Sequence, residues 1–165
     1  MRNGTIREVA VSGLASMFLG CLLILGVTRA APLDQAASTK TEPCEGRQSA
    51  PVFSVAGTSE EKARAFLVAL QEAVAAGDKR KVASMIRYPI VAQARGRNVR
   101  FKTPASMVAS YDRVFTAPLK KLIADARTEC LFTNWKGLMI HDGEIWMGAR
   151  SSGDLRIITI NGVNR

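Results

Sequence analysis

A single histidine, two tryptophans and two tyrosines stand in a chain of 165 residues. With one imidazole there is no histidine pair to hold a zinc ion, and any histidine-based catalysis has to run through His141. Carboxylates are also in the minority, 14 against 23 lysines and arginines, and no close set of them resembles a metal-ligand group. Aromatic residues make up 6% of the chain, and no strand interleaves them with lysine or arginine as a base-stacking surface needs. The composition therefore implies no cofactor, no metal and no nucleic-acid partner.

Charge is missing altogether from Val9 to Val27, behind Arg2 and Arg7 and ahead of Thr28-Arg29-Ala30-Ala31-Pro32. A basic start, an apolar run and small residues at its end read as an export signal over residues 1–30, cut near Ala30 or Ala31. The run also approaches the roughly 20 residues of a membrane-spanning helix, so an uncleaved anchor is the alternative. In both cases the basic start keeps the N-terminus inside. The rest of the chain is then expected in the periplasm or secreted, meeting the membrane only during export.

Cysteine is scarce as well: beyond Cys21 in the apolar run there are only Cys44 and Cys130. An even pair in an oxidising compartment is most simply a disulfide. Two unpaired thiols are the alternative, because sequence does not fix the distance between them. The whole chain carries a net charge of +9, and setting aside residues 1–30 removes three bases and one acid, which leaves +7. About 135 residues make one domain. Its basic charge suits either a polyanionic partner or a solvated surface without one.

Residues 31–57 are rich in Ala, Ser, Thr, Gly and Pro and read as a flexible linker, with Val52, Phe53 and Val55 as a short strand at most. The folded domain is expected over 58–165. Thr58 and Glu61 have capping-box spacing, and Ala63, Phe66, Leu67, Leu70 and Val74 recur as one helix face that Gly77 ends. Asp78 caps a short second helix that stops before Tyr88-Pro89. Ile90 to Lys102 reads as a hairpin turning over Arg95 to Asn98. Thr103-Pro104 opens a third helix through Met107, Val108, Tyr111 and Phe115, and Leu119, Leu122, Ile123 and Ala126 form a fourth. Leu131–His141, Glu144–Arg150 and Leu155–Ile160 then read as three strands, the first two joined at Asp142-Gly143. Helices first and a meander last predict an α+β domain with helices on one face of a curved antiparallel sheet.

The chain resembles the nuclear-transport-factor-2-like superfamily of cystatin-like α+β proteins over about residues 58–161. The likeness is carried by the helix ending Ala75-Ala76-Gly77-Asp78, by Tyr111-Asp112-Arg113-Val114-Phe115, and by the hairpin from Trp135 to Gly148. It implies a cone of bent sheet wrapped on a long helix, with a pocket at the open end. That superfamily holds isomerases, dehydratases and hydrolases, and also members that only bind or dimerise. Its enzymes place Asp-Tyr, His-Asp or Asp-Arg-Asp sets in the pocket, and none of these maps residue by residue onto this chain.

A two-residue turn at Asp142-Gly143 sets Ile140 against Ile145, Met139 against Trp146, Gly137 against Gly148 and Trp135 against Arg150. One face then offers two indoles, Trp135 and Trp146, with Met139 and a bare glycine step between them. Arg150 stands there to hold an anionic end, giving a slot for a small apolar or anionic ligand. The other interpretation is that the glycines admit a helix and the tryptophans are core. Leu138, Ile140, Ile145 and Met147 make the opposite face apolar too, so a second copy or a protein partner is expected on the open side of the sheet. A non-catalytic binding or interaction domain is the leading expectation. The alternative is a small pocket enzyme doing acid/base chemistry on an apolar carbonyl or hydroxy compound with Tyr111, Asp112 and His141.

Overall fold

The computed structural model describes Cys44 and residues 50–163. The export signal at 1–30 and most of the 31–57 segment lie outside the described residues. Among the described residues no helix is long and apolar enough to cross a membrane.

The chain enters through a 3-10 turn, Phe53–Ala56, not a strand. Ala56 is buried and Phe53 packs against the core, while the Val52 N–H donates to Thr133 Oγ1 over 2.9 Å. Packed structure therefore begins ahead of Thr58. Helix α1 (Glu60–Ala75) is capped by Ser59, whose side chain accepts from the Lys62 N–H. Thr58 does not cap it. Its hydroxyl donates to the Gly153 carbonyl over 2.7 Å, tying the helix entry to a distant turn. Ala63, Leu67, Leu70 and Val74 bury as their spacing predicts.

Asp78 accepts from the Lys81 N–H and caps α2 (Lys79–Ser84). Strands β1 (Ile90–Ala94) and β2 (Arg97–Phe101) follow, joined by Arg95-Gly96 alone. Both turn residues have positive φ, which closes the hairpin more tightly than a four-residue turn. A Thr103/Ser106 capping box opens α3 (Pro104–Ala109), and the chain breaks at Ser110 before α4 (Tyr111–Val114). Helix α5 (Ala117–Asp125) leads through a 3-10 turn at Thr128–Cys130 into the closing strands. These are β3 (Phe132–Asn134), β4 (Gly137–Ile140), β5 (Ile145–Ala149) and β6 (Leu155–Ile160).

The protein is α+β. Its six strands lie in the order β2-β1-β6-β5-β4-β3, in an open sheet. The sheet is mixed and not wholly antiparallel, because β1 meets β6 in parallel at Ala92 and Ile160. All five helices bury side chains in one core with the inner-face residues Ile90, Ala92, Leu138, Ile140, Ile145, Met147 and Ile157. Cys44 and Cys130 are joined by a disulfide, with Cα atoms 5.3 Å apart and a sequence separation of 86.

Candidate functional site

Leu138 faces Met147, Met139 faces Trp146 and Ile140 faces Ile145, in the register that Asp142-Gly143 predicts. Strand geometry then points Met139 and Trp146 away from the helices. Beyond Gly137 the expected pairing stops. Asn134 pairs with Gly137 across a turn, so the run from Leu131 to His141 is two strands and not one. Trp135 therefore does not face Arg150. It sits in the β3–β4 turn, 78% exposed, with the Lys136 ammonium 5.2 Å from its ring. Arg150 lies past the end of β5, where its N–H donates to the Asp154 carbonyl.

Phe132 takes the place expected for Trp135. It pairs with Met139 and meets the Trp146 ring edge-on, with centroids 6.4 Å apart. The bare glycine step is not an opening. A side chain on Gly148 would come within 3.1 Å of Ile158, whose own side chain already covers it. Ile158 is put there by an irregularity between Trp146 and Met147, where the β5–β6 register shifts by one residue. Gly137 is bare for a different reason: its Cα faces the β5 backbone at Met147. Neither glycine admits a helix.

The outer face of the sheet thus carries a stripe of Phe132, Met139, Trp146 and Ile158. Register adds Arg156, opposite Gly148, as a half-buried cation on the same face. At the β4–β5 turn, Met139 Sδ and Trp146 Nε1 close over Gly143. Sequence reasoning misses Phe132, Ile158 and Arg156. The signal that could find Phe132 is the Asn134 and Gly137 pair, which marks a turn. Ile158 has no such signal, since a bulge leaves no periodic trace.

Tyr111, Asp112 and His141 are not brought together by any hydrogen bond, ion pair or ring contact among the described residues. Tyr111 is buried and stacked on Phe115, with ring centroids 4.7 Å apart. The Lys79 and Lys120 ammonium groups lie 5.6 and 5.2 Å from its ring. Burial, with the Asp112 charge adding to it, pushes the Tyr111 hydroxyl above its ordinary pKa. Asp112 points to solvent and holds Lys79 at 2.6 Å and Lys120 at 3.8 Å. The Lys79 hydrogen bond keeps its carboxyl below the usual range, so it is an anion at neutral pH and holds no proton to give. His141 is in the β4–β5 turn with φ of 53°, its Nδ1 3.4 Å from both Asp142 and the buried Glu144.

Tyr111 Oη is buried without a hydrogen-bond partner among the described residues. A buried unsatisfied hydroxyl costs about 1–3 kcal/mol. Tyr111→Phe keeps the Phe115 stack and the lysine contacts while removing that penalty. Its unfolding free energy in urea is expected to equal or exceed that of the parent, by up to about 1 kcal/mol. A loss of more than 1 kcal/mol would show that the hydroxyl has a partner.

No family model, no curated protein and no solved structure matches this chain.

Proposed function

We propose that this chain is an exported, non-catalytic interaction domain that takes its partner on the outer face of the sheet. The observation that carries this is the stripe of Phe132, Met139, Trp146 and Ile158 on a face opposite all the helices of the core. An antiparallel meander that is apolar on both faces calls for two covers, and the helices supply one. Aromatic and methionine side chains at the middle of such a patch suit a protein contact, with Arg156 beside them to pair with an acid of the partner. A second copy of the chain is the first partner to test, and a small apolar acid the second.

Export is supported by the uncharged run behind a basic start and by the disulfide, which persists outside a reducing cytosol. The order of helices, hairpin, helices and meander agrees with the nuclear-transport-factor-2-like resemblance, whose non-catalytic members bind or dimerise.

Light scattering during size exclusion tests the reading on protein recovered after export. The expected mass is that of a dimer, and Trp146→Ala is expected to weaken association about thirtyfold or more, as truncating one central anchor of an interface does. In parallel, small apolar acids are screened by thermal shift against the parent and Trp146→Ala. A parent that stays monomeric at high concentration and shows no shift abolished by Trp146→Ala would end the proposal.

A further inference from the structure

From Lys79 to Tyr111 the chain carries eight lysines and arginines and no acid. Lys79 is committed to Asp112, but Arg80, Lys81, Arg87, Arg95, Arg97, Arg100 and Lys102 form no ion pair among the described residues. The fold gathers the last four of these on the β1–β2 hairpin. β2 is the terminal strand of the sheet, with one edge unpaired. Arg97, Asn98, Val99 and Arg100 are all exposed, and only Phe101 is buried. Solvent therefore reaches both faces of β2 from Arg97 to Arg100, while Phe101 and the β1 residues Ile90, Ala92 and Ala94 stay in the core. Arg100 shares the outer face with Val91, whereas Arg97 and Val99 stand opposite the buried Ala94 and Ala92 on the helix side, so each face of this edge carries one arginine and one exposed valine.

We propose that this hairpin is a docking edge for an anionic phospholipid surface. With the β2 edge against the membrane, Arg95, Arg97, Arg100 and Lys102 meet headgroup phosphates, and Val99 on the same strand is the aliphatic side chain nearest the acyl boundary. Guanidinium groups suit phosphate because they form two parallel hydrogen bonds to it. Nucleic acid is a poorer fit. Of the aromatic residues in this stretch, Phe101 and Tyr111 are buried and Tyr88 is half-buried with its hydroxyl committed to the Ala83 carbonyl, so no ring is free to stack on a base. Charge on an edge strand also prevents pairing with another strand. Charges of either sign serve that purpose, which does not explain why every one here is positive.

The test follows backbone hydrogen exchange of the full-length chain with vesicles of a zwitterionic phospholipid, alone or with about one third of an anionic one. The apolar N-terminal run is common to both arms, so the difference between them reports the folded part. Residues 90–101 are expected to gain protection only with anionic vesicles, and to lose it above about 0.5 M salt, where screening is nearly complete. Arg97→Gln with Arg100→Gln is expected to raise the vesicle concentration for half-protection by roughly 20- to 30-fold, about fivefold per arginine. Arg64→Gln with Lys121→Gln removes the same charge from α1 and α5 and is expected to change it less than threefold. Equal protection with both vesicle types would overturn the proposal. So would equal effects of the two double variants, or the same protection of residues 90–101 by duplex DNA at matched phosphate.

Discussion

Replacing Cys44 and Cys130 with serine is expected to cost about 4–5 kcal/mol, because the bond closes a loop of 86 positions whose freedom returns to the unfolded chain. The folded state loses little else directly. Cys130 ends the 3-10 turn ahead of β3, and Val52 is hydrogen-bonded to Thr133 three residues further on, so the entering segment is fixed to the same stretch twice. Without the covalent link the Val52 bond and the burial of Phe53 and Ala56 hold that segment alone. For a domain of this size the loss corresponds to a fall in melting temperature of more than about 10 °C. Thermal unfolding of the parent in a thiol reductant should match the double variant without reductant. A variant within 1 kcal/mol of the parent would mean that the bond adds nothing to folding. The size of this effect bears on where the protein works, since a chain held in a reducing cytosol would forgo it.

Local signals in the sequence locate most elements. Apolar spacing finds the buried face of α1, Asp78 and Thr103 find the starts of α2 and α3, and Asp142-Gly143 finds the register that sets Met139 against Trp146. What stays hidden is non-local or aperiodic. The parallel contact of β1 with β6 joins residues far apart in sequence, and no local pattern encodes which strands become neighbours. Trp135 lies in an apolar stretch that looks like an unbroken strand, and only the Asn134–Gly137 pairing reveals the turn. That one turn decides the composition of the outer face, putting Phe132 beside Trp146 and leaving Trp135 in solvent. Likewise the register shift that lays Ile158 over Gly148 fills the gap that alternation alone leaves open.

Gly137→Ala is expected to cost about 3 kcal/mol or more, which is large for a single methyl group. The residue has φ of 140°, where an L side chain is strained, and its added Cβ would fall 2.1 Å from the Met147 carbonyl oxygen and 3.0 Å from the Met147 carbonyl carbon. Both atoms are backbone, so no rotamer change relieves the overlap. Either β5 moves away from β4, opening the buried Leu138 and Met147 layer, or β4 slips and turns its apolar face outward. Gly77→Ala is the control. It also has positive φ, at 66°, but nothing lies within 4 Å of the added carbon, so only the backbone cost of about 1–2 kcal/mol is expected. Gly148→Ala meets only the Ile158 side chain, which can rotate, and should cost less than Gly137→Ala. Urea unfolding ranks the three, and a Gly137→Ala loss no larger than that of Gly77→Ala would show that the strands do not approach so closely. If the outer face takes a partner as proposed, the same substitution should weaken that binding as well, because it disturbs the register that sets Met139 beside Trp146.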